Sequence, residues 1–555
     1  MTYKHLGLFL ALVQFATATS ASGGDGTALP TIVLDNGTFV GTSEGDVSIF
    51  RSIPYAKPPV GDLRFRLPIA NDPYTGTFNA TTFGAACIQQ VANLTDTSNL
   101  NPIAAQVLLE ATGNFFSPDV DDEDCLTLDV YIPANATQDS KFPVAFWMFG
   151  GGFQTGASSG YNGTELVIRS QQLGEPVIYI AVNYRLSALG FAGSAEVREA
   201  GIGNLGLQDQ RMALHWIQKY IGAIGGDPSK VTIWGQSAGS ISAAMQMLAN
   251  DGDSEGLFSS AFMQSGGPIS MSTGTVEDGQ VYFDKFATDA GCGESLGSAA
   301  VFDCLRNASI ADIRSAVTAS QNIFDYASLD LAWQPRADGT FLTENAQVLV
   351  QKGSMADVPF VIGDDDDEGT IFSLVNSNIT TEAELRQYLQ DYYFPLVNTS
   401  TIDTILANYP DNVTLGSPFD TGSNNSITPE YKRISAIFGD YVFQVPRRFL
   451  LTERLGNANA YSFLYKRGKE TPVIGASHGS DFSIFEPGDL MDALIHFVNK
   501  FDPNGASLID WPAYTAQTPV LFTLLDGDTA QEITNDTYRL EGMQAIQQAT
   551  NAGIY

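Results

Sequence analysis

Histidine and cysteine are both rare in this chain of 555 residues. There are four histidines, His5, His215, His478 and His496, and four cysteines, Cys87, Cys125, Cys292 and Cys304. None of them cluster at metal-ligand spacing, which leaves no basis for a zinc or other His/Cys metal centre. Basic residues are scarce as well: 28 Lys and Arg stand against 62 Asp and Glu, a formal charge of -34. A surface this acidic repels nucleic acid and anionic membranes, so neither is expected as a partner. No run of about 20 apolar residues exists, and so no transmembrane segment is expected. The glycine signatures of dinucleotide and mononucleotide phosphate sites are missing. So are short-period repeats and a Gly- or Pro-rich linker, and one domain with large insertions, 22–555, is the simplest organisation.

What is present describes a folding, exported protein. The hydrophobic share of 44 % is enough for a large core. Lys4 and His5 precede an apolar run from Leu6 to Phe15, followed by small residues up to Ala21. This reads as a signal peptide over 1–21, cleaved after Ala18 or Ala21, and places the protein outside the cell. An even number of cysteines suits two bridges in an oxidising compartment. Eleven N-x-Ser/Thr acceptors point to a glycosylated surface: Asn36, Asn79, Asn93, Asn135, Asn162, Asn307, Asn378, Asn398, Asn412, Asn424 and Asn535.

Leu29 to Tyr55 alternates in the manner of short antiparallel strands. Further on, apolar strands alternate with helix-compatible stretches. The strands are Phe142 to Phe149, Pro176 to Tyr184, Lys230 to Trp234, Phe258 to Met263 and Val358 to Ile362. Asp209 to Ala223 carries apolar residues at helical spacing, and Pro102 to Ala111 is also helix-compatible. Such alternation predicts an α/β fold: a mostly parallel sheet with helices on both faces.

The chemistry centres on Gly235-Gln236-Ser237-Ala238-Gly239. A strand enters this motif and a helix leaves it, the setting in which a sharp turn lifts a serine hydroxyl into reach of substrate. An ordinary capping serine is the bland alternative. A serine nucleophile needs a base. His5 belongs to the signal peptide, His215 to a helix, and His496 to the apolar stretch Leu494 to Val498. His478, in a loop of small residues, is the best-placed base. The acid belongs between serine and histidine in chain order. Gly363 to Gly369 offers five consecutive carboxylates, Asp364 to Glu368, which equally suit a solvated or calcium-attracting loop, and residue chemistry does not choose among them. Gly150-Gly151-Gly152 and the N–H of Ala238 are candidate donors for an oxyanion. Acyl transfer by these groups requires no cofactor.

These motifs resemble the type-B carboxylesterase and lipase family, closest to secreted fungal lipases and sterol esterases. The resemblance also rests on Glu123 to Val130, Asn183-Tyr184-Arg185, Gly203 to Gln210, Asp367-Glu368-Gly369 and Phe501-Asp502-Pro503-Asn504. It implies an α/β-hydrolase fold and a triad of Ser237, Glu368 and His478, with oxyanion donors at Gly151, Gly152 and Ala238. It also implies bridges Cys87–Cys125 and Cys292–Cys304, the first enclosing a flap over 88–124. Two departures stand out: Gln236 where relatives have glutamate, and an acidic loop unusually dense in aspartate, able to perturb Glu368 or His478. The implied activity is hydrolysis of carboxylic esters through an acyl-enzyme, with lipid esters as substrates. The alternatives are a carboxylesterase for small soluble esters or a non-catalytic binding protein of the same fold. A monomer is expected, with a weak dimer across the apolar flap as the alternative.

Overall fold

The computed structural model describes residues 29–90, 100–113, 120–268, 274–454, 456, 459–528 and 530–554. The proposed signal peptide, Asn93, and the flap residues Val91, Leu94, Phe115 and Phe116 lie outside these ranges. The described chain is organised by one eleven-stranded sheet. Its strands in chain order are β1 (Thr42–Glu44), β2 (Val47–Pro54), β3 (Thr127–Pro133), β4 (Phe142–Met148), β5 (Ile178–Val182) and β6 (Gly226–Gln236). They continue with β7 (Ser260–Gln264), β8 (Phe360–Asp365), β9 (Ala460–Tyr465), β10 (Val520–Leu524) and β11 (Gln531–Asn535). In space they run β11-β10-β9-β8-β7-β6-β4-β5-β3-β2-β1. The strands from β5 across to β10 are parallel, and those at both edges are antiparallel. This is the mixed α/β architecture expected, with helices on both faces of the sheet.

The central strands carry Val, Ile, Phe and Trp on both faces because both faces are covered. Trp147 on β4 and Trp234 on β6 are completely buried, with ring centroids 4.4 Å apart. Strand β6 reaches further back than Lys230, starting at Gly226, with a register irregularity against β4 between Gly226 and Val231. The helix expected over 209–223 begins earlier, at Leu205, and passes at Ile221 into a 3-10 turn. The segment Leu29 to Tyr55 does form short strands, but Asn36–Val40 also pairs in parallel with Thr75–Asn79.

Both bridges are formed: Cys87–Cys125 and Cys292–Cys304. The first encloses the helix Pro102–Gly113, which turns Ala104 and Leu108 inward and leaves Ile103 and Leu109 half exposed. Asn101 ties its start to the body, donating its backbone N–H to Ser377 Oγ at 3.0 Å and its side-chain amide to the Ile427 carbonyl at 3.1 Å.

Candidate active site

Strand β6 ends at Gln236 and the helix Ala238–Leu248 begins two residues later. Ser237 between them has φ 57° and ψ -126°, a conformation that costs a non-glycine residue on the order of 1–3 kcal/mol. The surroundings hold it there. Its N–H donates to the Gln264 carbonyl at the end of β7 (2.8 Å), and its carbonyl accepts from Ile241 N (2.9 Å). Only glycines fit beside it: a Cβ on Gly239 would lie 1.9 Å from the Met148 oxygen, and one on Gly235 would lie 2.3 Å from Gly239.

The loop after β4 approaches the serine from the other side. A Cβ on Gly150 would sit 2.8 Å from Ser237 Cβ. Gly151 and Gly152 both have positive φ, 106° and 61°. The Gly151 carbonyl accepts from Gln154 N and Thr155 N, closing a tight turn. Gln89, two residues from Cys87, clamps this turn. Its amide donates to the Gly156 carbonyl at 2.6 Å and accepts from Gly156 N at 3.1 Å and Thr155 Oγ1 at 2.6 Å. Tyr184 supports it from below, donating to the Phe149 carbonyl at 2.6 Å. The neighbouring Arg185 is locked to Asp209 by a buried fork (2.8 and 2.7 Å), joining Asn183-Tyr184-Arg185 to Gly203 to Gln210.

His478 lies on the loop after β9, its side chain 7 % exposed. Its Nδ1 is 2.5 Å from Glu368 Oε2, and its Nε2 is 3.4 Å from the side-chain nitrogen of Gln236. A neutral amide thus faces the imidazole from the position just before Ser237. The rings of Phe443 and Phe372 flank the imidazole at 4.7 and 5.1 Å, and Phe324 extends the stack beyond Phe372. Burial pushes the imidazole down to about 4, against the pull of Asp481 and Asp364. The same loss of water pushes the Glu368 carboxyl above the ordinary carboxylate range. The other Glu368 oxygen accepts from Asp365 N at 2.8 Å. The other two histidines are elsewhere: His215 is half exposed on its helix, and His496 is buried against Glu175 at 2.7 Å.

The acidic run is neither solvated nor a cation loop. Asp364 to Asp367 are buried, and among the described residues no group of His, Cys, Asp and Glu is arranged to hold a metal ion. Each aspartate has protein partners, and Lys469 is shared between Asp366 and Asp367. Asp364 pairs with Arg447 at 2.9 Å, and Asp365 accepts from Gly479 N at 2.8 Å. Asp366 pairs with Lys469 at 2.7 Å. Asp367 accepts from Ser417 Oγ, Phe419 N and Ala476 N and pairs with Lys469 at 2.6 Å. Of these, sequence reasoning found Glu368 only through the resemblance. It missed the anchoring roles of Gln89, Gln264, Asp365, Asp367 and Asp481, whose contacts span 50 or more residues. A cavity of about 480 Å³ elsewhere, lined by Tyr393, Phe394, Val397 and Tyr441 among others, includes none of Ser237, Glu368 and His478.

The model of the carboxylesterase family matches residues 28–540. Lipase 4 of Diutina rugosa is 38 % identical over 535 residues, covering 94 % of this chain and 96 % of that protein. Secreted lipase 1 of Botryotinia fuckeliana (strain B05.10) is 37 % identical, covering 92 % of each. Among solved structures, Aspergillus niger EstA superposes with a TM-score of 0.79 at 27 % identity, over 95 % of this chain and 99 % of that one.

Proposed function

The chain belongs to the carboxylesterase family and is a carboxylic ester hydrolase, and from that premise we propose that Ser237, His478 and Glu368 form its catalytic triad, with lipid esters as substrates. The observation that carries the triad is the 2.5 Å contact between His478 Nδ1 and Glu368, beside a serine held in a strained strand-to-helix turn. In this reading neutral His478 takes the proton of Ser237 Oγ as the oxygen attacks the ester carbonyl. The backbone N–H groups of Gly151, Gly152 and Ala238 receive the oxyanion. The imidazolium then passes its proton to the leaving alcohol, and an acyl-enzyme remains on Ser237. Water, deprotonated by the same imidazole, attacks that acyl carbon; the acid leaves and the serine is restored. Glu368 fixes the tautomer and balances the transient positive charge.

Lipid substrates are supported by the half-exposed apolar residues on the bridged helix and by relatives named as lipases. The buried stack of Phe324, Phe372 and Phe443 beside the imidazole supplies an apolar wall suited to an acyl chain. The second reading, a carboxylesterase for short soluble esters, is favoured by the anchoring of Asn101 to Ser377 and Ile427, which suits a fixed wall. Hydrolysis of esters from two to about eighteen acyl carbons, measured below and above solubility, separates the two. Long-chain preference with a rate jump at the interface supports the first reading; short-chain preference without a jump reverses it. Ser237→Ala is expected to fold and not turn over, and comparable turnover in the folded variant would sink the triad. Export and glycosylation belong to the same proposal: every described acceptor asparagine is exposed. Among the described residues no helix is long and apolar enough to cross a membrane.

A further inference from the structure

Behind the imidazole lie two carboxyl groups that the proposed mechanism does not use. Asp365 ends β8, and Asp481 sits in the 3-10 turn Ser480–Phe485 immediately after His478. Both are completely buried. Asp365 Oδ2 accepts from Gly479 N at 2.8 Å, which ties the histidine turn to the strand leading to Glu368. Asp481 Oδ2 accepts from Gln264 Nε2 at 2.8 Å. That amide can point only one way, because Gln264 Oε1 takes the indole N–H of Trp234 at 2.6 Å and an indole nitrogen only donates. Since the Gln264 carbonyl also holds Ser237 N, Asp481 ties the histidine turn to the strand that holds the serine.

The second oxygen of each group is the anomaly. Asp365 Oδ1 and Asp481 Oδ1 are both buried without a hydrogen-bond partner. Among the described residues no ion pair reaches either carboxyl. The cations and acids around them are already committed. Arg447 is divided between Asp364 and Asp536, and Lys466 and Lys469 serve Asp366, Asp367 and Asp420. The Tyr465 hydroxyl is engaged with Ser483 Oγ at 2.8 Å, and Glu368 is bonded to His478. Two buried carboxylates with no cation are not sustainable as two charges. After burial itself, the charge of Asp481 is the strongest influence raising Asp365, and burial followed by Glu368 pushes Asp481 up to about 7.

We propose that Asp365 and Asp481 hold one proton between them, and that this proton lets two buried acids tether the His478 turn to β8 and β7 without repelling one another. Both are positioning residues for the histidine, so the inference rests on the catalytic reading of His478. At alkaline pH the proton leaves to solvent, the pair passes from one negative charge to two, and repulsion loosens the turn that carries the imidazole.

The test compares the wild-type protein with Asp365→Asn and Asp481→Asn, each side chain keeping its shape and its accepting oxygen. Infrared spectra in H2O and D2O are expected to show a protonated-carboxyl band in the wild type that is diminished by one carboxyl in both variants. The alkaline limb of kcat/KM is expected to move up by about one pH unit in each variant, a tenfold gain at a fixed alkaline pH. No band, a band undiminished in either variant, or superimposable alkaline limbs would overturn the proposal. If one variant fails to fold, the other still decides it. Recording the band in the Ser237→Ala protein keeps the two readings separable: residual turnover there counts against the triad, while the band needs no turnover.

Discussion

Replacing Asp367 with alanine tests whether the histidine loop is held by the buried acidic run. The Asp367 carboxylate accepts from Ser417 Oγ at 3.0 Å, Phe419 N at 2.8 Å and Ala476 N at 2.9 Å, and its pairing with Lys469 measures 2.6 Å. Its backbone N–H also donates to the Ala476 carbonyl, which puts one residue on both strands of the bridge two positions before His478. Truncation keeps the backbone bond but strands the three other donors, and Lys469 retains only Asp366. Each stranded buried donor costs about 1–3 kcal/mol. Part of this relaxes through water entering the space, and breaking a buried pair from one side typically costs about 3–5 kcal/mol in all, the figure expected here. Asp367→Asn, which keeps an accepting oxygen and loses the ion pair, should fall between wild type and alanine. The assay is the urea midpoint at pH 7, read together with kcat on a soluble ester. Stability and kcat should fall together, because the loosened loop carries the imidazole. A loss of stability below about 1 kcal/mol would refute the idea that Asp367 anchors the loop.

Other perturbations separate the parts of the site. With the imidazole pushed down to about 4, the base stays neutral into acid solution; kcat/KM should hold as pH falls past 6.5 and decline only near pH 4. A midpoint of the acid limb at or above 6.5 would contradict the desolvated histidine. Gly151→Ala places a Cβ 2.2 Å from the Thr155 carbonyl at φ 106°, so the turn must move; kcat should drop by about 100-fold or more with little change in melting, as expected for a displaced oxyanion donor. Unchanged kcat would exclude this turn from the reaction. Of the two bridges, Cys87–Cys125 closes 38 residues and Cys292–Cys304 closes 12. Chain entropy then gives about 4 and about 3 kcal/mol respectively, and paired Cys→Ala variants should rank accordingly in denaturation midpoint.

The sheet and the serine turn were legible because their signals are local: apolar runs between turn residues, and glycines where a Cβ would strike Met148 or Gly239. The choice of His478 rested on scarcity, since few histidines competed for the role, and the structure places it against Glu368. Glu368 was not, because five adjacent carboxylates are chemically alike and only their surroundings distinguish them. Those surroundings are assembled from distant segments, such as Arg447 beside Asp364 and Gly479 beside Asp365, 83 and 114 residues away in the chain. The same distance hid Gln89, whose polar side chain resembles any surface glutamine until it meets Gly156. The density of aspartate in the loop suggested perturbed ionisation by charge, whereas burial is the leading cause of the shifts at both Glu368 and His478, and the burial of the run was not legible.

The order of strands also has a consequence for biosynthesis. The serine turn follows β6 and the histidine follows β9, with 242 residues separating Gln236 from His478. At roughly 5–20 residues per second, a ribosome needs about 12–50 seconds to supply the second after the first. For most of that interval the nascent chain holds β4, β6 and the glycine turn, but neither β9 nor His478. The half-built sheet exposes the edge of its last completed parallel strand, and its remaining partners arrive by non-local pairing, the slow kind. On the proposed triad, hydrolytic competence appears late, after β9 has closed against β8 and His478 has followed it, and no N-terminal fragment that ends before His478 can carry it.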